Sequence, residues 1–457
     1  MLYQTINPYT EELVKTFPQH TDAQLESIIR KAEETYASDW SVKSLAARKA
    51  VIKRAAAILR EKIDEFAKPV TLEMGKLFRE AQWEVTLSAD ILDYYADNAD
   101  KFLAPEKLHV KEGEAVIESA PLGVLFCIEP WNYPYYQLAR VAGPNLMLGN
   151  TIITKHAPNV PQCALAFEKL FLDAGAPVGM WTNVFITNEQ SAKVIGDSRI
   201  RGVALTGSER AGAAVASEAG QALKKSTMEL GGSDPFIVLD DADLDAAVKW
   251  ALLGRMENTG QACIAAKRFI IPENIADNFL SRFKSELEKL KPGDPMDPET
   301  TLGPLCTEGA LSGVLTQIAA AVKGGARVLL GGKKLNRRGF FLAPTILTNV
   351  TPDNPAFHLE FFAPVAMVFR VKNEKEAVDL ANDSPYGLGA SVITKDVERG
   401  KRIARQIDSG MVFINQVTGT APDLPFGGVK NSGYGRELSH LGIGEFVNKK
   451  LIHVARA

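Results

Sequence analysis

The sequence predicts an α/β protein with two large lobes, each built on a doubly wound (Rossmann-like) sheet. From Gly123 onward, short β-rich runs alternate with helical patterns, which is typical of parallel sheets that carry helices on both faces. At 457 residues the chain is also too long for one ordinary hydrophobic core. Two lobes with smaller additions are therefore expected.

The amino-terminal part of the chain has helical patterns. Thr21 and Gln24 form a capping-box pattern ahead of apolar residues at helical spacing, so a helix is expected to follow. The stretch 46–67 predicts a second helix that ends before Pro69, because proline cannot donate to a helix ladder. Gly75 suits the turn at the end of the next helical run.

Two alternating series of strands and helices follow. The first predicts strands at 124–128, 151–154, 184–186 and 203–205, with a helix at 160–174 that ends at Gly175. The second predicts strands at 235–239, 328–330, 365–369, 391–394 and 412–415. Two further β-rich segments, 110–119 and 446–454, lie outside both series.

Composition and charge favour small-molecule chemistry. With 52 basic and 55 acidic residues the net charge is −3, so no basic excess is available for nucleic acid or an anionic membrane. The first residues lack the pattern of a signal peptide, which indicates a cytoplasmic protein. Four cysteines without a CxxC pair, and no histidines at metal-ligand spacing, predict reduced thiols and no metal.

Three motifs carry residues suited to one reaction. Cys263 ends the segment Asn-Thr-Gly-Gln-Ala-Cys and follows Glu229, the first residue of Glu-Leu-Gly-Gly, by 34 positions. A thiol nucleophile needs a second ionisable group to move protons while a covalent intermediate forms and breaks, and Glu229 can be that group. Asn132 lies between two prolines in Pro-Trp-Asn-Tyr-Pro, a rigid setting for an amide that holds an oxyanion.

Together these motifs resemble the aldehyde dehydrogenase superfamily, and the overall similarity is greatest to bacterial succinate-semialdehyde dehydrogenases. The resemblance extends from residues 6–10 to residues 425–437. It implies an aldehyde dehydrogenase-like fold, with a dinucleotide-binding domain at 1–107 and 121–230 and a catalytic domain at 231–420. In the family, segments such as 108–120 and 437–457 pair into a small β oligomerisation flap of a homodimer or homotetramer. An edge hairpin of one domain is the alternative.

The resemblance also implies a nicotinamide coenzyme. It assigns coenzyme contacts to Trp131, Lys155, Pro158, Gly207, Ser208, Gly212, Glu229, Leu230, Glu360 and Phe362. NAD-specific relatives usually carry a glutamate three residues after the lysine, and a carboxylate there would repel a 2′-phosphate. Pro158 replaces it in this chain. NADP is therefore expected, with NAD as the alternative.

The implied mechanism begins with attack of the Cys263 thiolate on an aldehyde. The amide of Asn132 and the backbone N–H of Cys263 hold the oxyanion of the thiohemiacetal, hydride passes to the nicotinamide, and Glu229 activates the water that hydrolyses the thioester. Three other classes of protein fit these residues less well. A cysteine hydrolase needs a histidine partner in a recognisable motif, a structural member of the fold is expected to lose catalytic positions, and a CoA-acylating relative usually lacks the glutamate.

The residues expected to bind the substrate are Arg140, Tyr136 and Glu257. In the resembled enzymes an arginine eight residues after the asparagine binds the distal carboxylate, and Arg140 occupies that position. This favours succinic semialdehyde, with a small aliphatic aldehyde as the alternative. A second arginine usually precedes the cysteine by six residues, where this chain has Glu257. Glu257 must turn away from the carboxylate or pair with a base such as Arg255, unless the substrate is not anionic.

Overall fold

Helices and strands alternate along residues 2–456, the part of the chain that this computed structural model describes. The helices are α1 (Asp22–Thr35), α2 (Leu45–Glu61), α3 (Ile63–Met74), α4 (Phe78–Phe102), α5 (Tyr136–Leu148), α6 (Pro161–Asp173), α7 (Asn188–Gly196), α8 (Glu209–Gln221), α9 (Leu244–Met256), α10 (Glu273–Glu288), α11 (Glu308–Lys323), α12 (Glu374–Asn382), α13 (Val397–Ala404) and α14 (Ser439–Gly442). Among these described helices, none combines the length and the apolar composition needed to cross a membrane.

The strands are, in chain order, β1 (Tyr3–Asn7), β2 (Glu12–Phe17), β3 (Glu106–Leu108), β4 (Glu114–Pro121), β5 (Val124–Glu129), β6 (Thr151–His156), β7 (Trp181–Asn183), β8 (Ile200–Thr206), β9 (Lys225–Glu229), β10 (Asp234–Val238), β11 (Ala266–Pro272), β12 (Arg327–Leu330), β13 (Thr345–Thr348), β14 (Val365–Val371), β15 (Tyr386–Gly387), β16 (Ser391–Ile393), β17 (Phe413–Ile414), β18 (Val429–Lys430), β19 (Gly433–Tyr434) and β20 (Val447–Val454).

The first large sheet has the order β19-β9-β8-β5-β6-β7 and is parallel except at β19. The chain starts at the central strand β5, moves outward through β6 and β7, and returns to β8 on the other side of β5. The carboxyl ends of β5 and β8 therefore flank the point where the winding direction reverses, which is where doubly wound sheets bind ligands.

The second large sheet has the order β12-β13-β14-β11-β10-β16-β17 and is parallel except at β12. Its central strands β10 and β11 are buried along nearly their whole length, as expected of a parallel sheet covered on both faces. The two parallel sheets confirm the predicted fold class of two doubly wound lobes.

A third, smaller sheet has the order β20-β4-β3 and is antiparallel. Val447 pairs with Pro121 at one end of the β20–β4 ladder and Val454 pairs with Glu114 at the other. The two β-rich segments that lie outside both alternating series thus pair with each other. Most residues of β20 are exposed, including Leu451 (59%) and Val454 (60%).

Two helical predictions have different outcomes. Helix α1 begins at the capping box of Thr21 and Gln24, as predicted. The predicted helix 46–67 is wrong, because the helix is interrupted at Lys62 and Pro69 lies inside α3. Proline removes the N–H that would bond to the carbonyl of Glu65. Because Glu65 and Pro69 line an open surface cavity, water can solvate that carbonyl.

The strand predictions fail in both large sheets. At 184–186, which follow β7, Val184 still donates to the carbonyl of Thr154 in β6 at 2.8 Å. Phe185 donates instead to the His20 ring and Ile186 to the hydroxyl of Tyr3, so the pairing ends there. Strand β11 was not predicted, because Lys267 and Arg268 interrupt its apolar run although both are fully buried. Strands β9 and β13 were not predicted either.

Candidate active site

The loop that carries Cys263 joins α9 to β11 through a left-handed turn. Asn258, Thr259 and Gly260 have φ values of 51°, 55° and 74°. The left-handed region is strained for a β-branched residue such as Thr259, at a cost on the order of 1–3 kcal/mol. A conformation of this kind persists only when its surroundings impose it.

Buried side chains impose the path of this loop by holding its carbonyl groups. Four successive carbonyls accept hydrogen bonds: Gly260 from Arg255 (2.6 Å), Gln261 from Asn132 and Asn258 (both 3.1 Å), Ala262 from Lys267 (2.8 Å) and Cys263 from Lys267 (2.7 Å). A loop outside any ladder must satisfy its buried carbonyls in another way. Here two buried cations and two amides do so.

Cys263 opens into a cavity of about 280 Å³ between the two large sheets. The cavity is lined by Pro130, Trp131, Asn132, Gln137, Thr206, Gly207, Ser208, Leu230, Gly231, Cys263, Glu360 and Phe362. These residues follow the carboxyl ends of β5, β8 and β9 in the first sheet and precede β10, β11 and β14 in the second. The three predicted motifs thus meet between the carboxyl edge of one sheet and the amino edge of the other.

Cys263 is partly exposed as a residue, whereas the other cysteines, Cys127, Cys163 and Cys306, are buried. Burial raises the pKa of the Cys263 thiol to about 12, and the positive charges of Lys267 and Arg140 oppose that rise. The free thiol is therefore protonated at neutral pH. Its proton must leave when the sulfur attacks an electrophile.

Glu229 is the last residue of β9 and is 3% exposed. Within the described residues neither carboxylate oxygen has a hydrogen-bond partner. Burial, together with the negative charge of Glu437, raises the pKa of Glu229 well above its usual range. A buried carboxyl group of raised pKa, aimed at no protein partner, is a candidate acid or base.

The two glycines after Glu229 are required by close contacts. A Cβ atom on Gly231 would lie 2.5 Å from Oε2 of Glu360, and one on Gly232 would lie 2.6 Å from the carbonyl oxygen of Cys263. Real Cβ contacts are not that short. The Glu-Leu-Gly-Gly motif therefore lets both Glu360 and the nucleophile loop approach the chain after β9.

The predicted coenzyme residues fall into three groups. Trp131, Gly207, Ser208, Leu230, Glu360 and Phe362 line the Cys263 cavity. Lys155 lines a second cavity of about 180 Å³, which residues of α8 also line. Pro158, Gly212 and Glu229 line neither cavity. The carbonyl of Pro158 accepts from Gln4 (3.0 Å), and Gly212 packs against Leu230.

Arg140 is buried in an ion pair instead of lining the cavity. Its Nε lies 2.7 Å from the carboxylate of Glu437, and Nη2 donates to Thr206 at 3.1 Å. The guanidinium lies 4.7 Å from the ring centroids of both Tyr136 and Phe426. Glu437, at the start of the carboxy-terminal segment, was not predicted as a site residue.

Glu257 turns away from Arg140 and Arg255. Its Oε1 accepts from the hydroxyl of Tyr133 at 2.9 Å, and a second carboxyl group, that of Glu80, lies close by. Glu80 accepts from the N–H of Asn258 at 3.3 Å, while its Oε2 is buried without a partner. Burial and the charge of Glu257 raise the pKa of Glu80 to about 7. Glu257 is thus held by a tyrosine hydroxyl and not by a base.

Lys267 and Arg255 are the supporting residues that the sequence motifs did not reveal. Both are fully buried and carry formal charge. For Lys267 the available signal was its position beside Arg268 inside the apolar run of β11, because a charged residue is rarely fully buried without a partner. Gln137, whose amide lies 2.8 Å from that of Asn132, has no comparable signal.

A larger cavity of about 750 Å³ lies at the opposite edge of the second sheet, beside the carboxyl ends of β10, β11 and β14. It contains none of the three motifs. Arg399, which lines it, is already paired with Asp240 and Glu374. The smaller cavity therefore remains the candidate active site.

Comparisons with known proteins agree with this geometry. The model of the aldehyde dehydrogenase family matches residues 1–452. An NADP-dependent succinate-semialdehyde dehydrogenase of Deinococcus radiodurans is 52% identical over 450 residues, which cover 98% of this chain and 94% of the relative. A protein of Synechocystis with the same name, given as probable, is 44% identical over 455 residues and 100% of each chain. The structure of succinic semialdehyde dehydrogenase from Streptococcus pyogenes with NADP+ superposes with a TM-score of 0.98, at 47% identity, over 99% of this chain and 100% of that one.

The Glu80–Glu257 pair gives a pH-dependent prediction. The pKa of Glu80 is about 7 in the folded state, above its pKa in the unfolded state. Between these two pKa values the unfolded chain ionises more readily, so the free energy of unfolding falls as the pH rises. Glu80→Gln removes that cost and keeps an acceptor for Asn258. We expect the free energy of unfolding to rise by roughly 1–3 kcal/mol at pH ~8 and to change little at pH ~5, as measured by urea titration.

Glu84→Gln is the matched control. The carboxylate of Glu84 is fully buried against Lys76 and also accepts from the N–H groups of Tyr135 and Tyr136. Its neutralisation leaves an unpaired buried cation and should cost about 3–5 kcal/mol at both pH values. Equal destabilisation of the two variants at pH ~8 would contradict the assignment of Glu80 as the costly charge.

Proposed function

This chain belongs to the aldehyde dehydrogenase family, and we propose that it oxidises succinic semialdehyde to succinate with NADP+ as coenzyme. The observation that carries the proposal is the convergence of Cys263, Asn132 and the two residues that follow β9, Leu230 and Gly231, on one cavity. The relatives described above carry this activity in their names. Residues 1–107 and 121–230 are assigned to coenzyme binding and residues 231–420 to catalysis.

Cys263 is the proposed nucleophile, and its sulfur forms a thiohemiacetal with the aldehyde carbon. The Nδ2 group of Asn132 has two N–H bonds, one of which is used by the carbonyl of Gln261. The second remains for the oxyanion, together with the backbone N–H of Cys263. Because the Asn132 amide is tied to the nucleophile loop, both donors keep a fixed position relative to the sulfur.

Glu229 is the proposed base for hydrolysis of the thioester on Cys263. Burial raises its pKa, which favours the neutral form and weakens repulsion of an incoming anionic substrate. Once ionised, the unpartnered carboxylate accepts a proton from the attacking water. The presence of this residue favours hydrolysis over transfer of the acyl group to CoA.

The residues of the two cavities fit a dinucleotide. Ser208 lines the Cys263 cavity and caps α8, whose amino terminus suits a pyrophosphate. Lys155, 6% exposed, faces the ribose side, and Oε2 of Glu360 suits the hydroxyls of the nicotinamide ribose. Bound NADP+ would supply the hydride acceptor next to Cys263. Without a carboxylate at Pro158, a 2′-phosphate meets no repulsion from that position.

Arg140 is the proposed source of positive charge for the distal carboxylate. It is already paired with Glu437, but its guanidinium has five N–H bonds, and those bonds are only partly used by Glu437, Thr206 and Tyr136. A small aliphatic aldehyde is the second candidate, favoured by the burial of that ion pair. The two substrates can be separated by experiment.

The exposed strand β20 supports a homo-oligomer. Its apolar residues Leu451, Ile452 and Val454 are exposed in the third sheet, where a second copy of the chain would cover them. We assign 108–120 and 437–457 to a dimer or tetramer interface, and light scattering of the purified protein measures which. The four free cysteines suit a reducing, cytoplasmic setting.

Glu229→Gln tests the proposed mechanism directly. We expect a rapid burst of NADPH from formation of the thioester, followed by turnover that is slowed roughly 10²–10⁴-fold, because the base for hydrolysis is lost. Stopped-flow absorbance records both phases. Cys263→Ala is the control: it should show neither phase while binding NADP+ like the wild type. An unchanged steady-state rate in Glu229→Gln would assign the base elsewhere.

Pro158→Glu tests the coenzyme. A carboxylate close to a 2′-phosphate should lower the ratio of kcat/KM for NADP to kcat/KM for NAD. The expected decrease is about 10- to 150-fold if the site excludes water, and less than about 10-fold if the site is solvent-exposed. Pro158→Gln has nearly the same shape without the charge and should leave the ratio much closer to that of the wild type. The same ratio in both variants would place the 2′-phosphate elsewhere.

Arg140→Met tests recognition of the substrate carboxylate. If Arg140 binds that group, kcat/KM for succinic semialdehyde should fall about 10- to 150-fold more than kcat/KM for butanal. Glu437→Gln keeps the guanidinium and should preserve the preference for the anionic aldehyde. Equal losses for both aldehydes in Arg140→Met would reduce Arg140 to a structural partner of Glu437.

A further inference from the structure

Lys267 is a charged residue in the middle of the core. It lies in the central strand β11, and its side chain is fully buried. Its ammonium group has three N–H bonds and makes three contacts: the carbonyls of Ala262 at 2.8 Å and Cys263 at 2.7 Å, and Oε1 of Glu360 at 3.1 Å. All three donors are used, so the cation is fully satisfied despite its burial.

The bond to Ala262 fixes the direction of a group that the reaction needs. A trans peptide unit is planar, and its C=O and N–H bonds point in opposite directions. Because Lys267 draws the carbonyl of Ala262 into the core, the N–H of Cys263 in the same peptide unit is turned away from Lys267. This N–H is one of the two proposed oxyanion donors.

The bond to Glu360 fixes a second group. Oε1 of Glu360 accepts from both Lys267 and the N–H of Gly232, each at 3.1 Å. These contacts commit one carboxylate oxygen to the protein and leave Oε2 for the ribose that the cavity is proposed to bind. Gly231 and Gly232 allow this arrangement because they carry no Cβ atom.

We propose that Lys267 is a positioning residue that sets the oxyanion donor of Cys263 and the ribose acceptor of Glu360 with a single buried ammonium group. This inference rests on the proposed function of Cys263 as nucleophile. One side chain thereby couples the reacting sulfur to the coenzyme carboxylate, although it touches neither substrate nor coenzyme.

The surrounding charges are consistent with that role. Lys267 faces Glu360, Asp234, Arg255 and the Cys263 sulfur. Its positive charge is the foremost influence that opposes the burial-driven rise in the pKa of the Cys263 thiol, and it also opposes the rise in the pKa of Glu360. Lys267 should therefore make the thiolate easier to form as well as orient its peptide.

The test compares Lys267→Met, which keeps the length and removes the donors, with Lys267→Arg, which keeps a charge and donors. The first readout is the rate of Cys263 alkylation by iodoacetamide as a function of pH, followed by peptide mass spectrometry. We expect Lys267→Met to slow alkylation at neutral pH at least about 10-fold and to move the pH midpoint upward. Lys267→Arg should recover part of the loss.

The second readout is kcat/KM for the aldehyde, which should fall about 10- to 150-fold in Lys267→Met. Arg268→Met is the matched control. Arg268 is the next residue of β11 and equally buried, but it donates to the carbonyls of Leu380, Ala381 and Asp383, away from the cavity. It should lower the melting temperature and leave alkylation of the folded protein within about 3-fold of the wild type.

The outcomes separate two failures. If wild-type Cys263 reacts no faster than the three buried cysteines, the proposed nucleophile is wrong. If wild-type Cys263 reacts selectively but Lys267→Met alkylates and turns over within about 3-fold of it, the positioning role is wrong and the proposed function stands. If Lys267→Met does not fold, Lys267→Arg tests the proposal. The proposal requires that the pH midpoint of Cys263 alkylation shifts in Lys267→Arg. An unshifted midpoint together with full activity in that variant overturns it.

Discussion

The active site depends on how the backbone of residues 258–263 is held. This loop runs between a helix and a central strand, and a left-handed turn with a strained threonine prevents it from joining any ladder. Its carbonyls must be satisfied inside the protein, and Arg255, Lys267 and two asparagine amides satisfy them. Because the loop cannot shift without leaving a buried cation unpaired, the sulfur, its N–H and the Asn132 amide form one rigid unit.

The same arrangement explains why the lobes are not independent in function. The first sheet presents its carboxyl ends and the second its amino ends to a common cavity, and neither lobe alone contains the full set of polar groups. Asn132 lies on the first lobe but bonds to the loop of the second, while Glu360 bonds to Gly232 in the segment that joins the two lobes. Catalytic geometry is therefore a property of the contact between the lobes, and a small relative movement changes several hydrogen bonds together.

The sequence was sufficient for the parts of the molecule that follow local rules. Alternating patterns predicted both parallel sheets, and the spacing of short motifs led to Cys263, Glu229 and Asn132, although the catalytic roles remain predictions. It failed where tertiary contacts override local preference. Strand β11 was missed because Lys267 and Arg268 resemble surface residues, yet the core neutralises them with backbone carbonyls. The partner of Arg140 was missed because Glu437 is distant in sequence, and the family-like segment 425–437 that it ends does not indicate an ion pair.

The late position of Glu437 in the chain determines when its carboxylate becomes available during synthesis. Strand β19 pairs with the edge strand β9 of the first sheet, and Glu437, three residues later, reaches Arg140 between the lobes. A ribosome that has completed both large lobes has not yet delivered these residues. Until then β9 is an open sheet edge and Arg140 lacks its counter-ion, a state in which unpaired edges invite association with other chains. The nascent polypeptide thus gains the partner strand of β9 and the counter-ion of Arg140 only after residues 433–437 have been added.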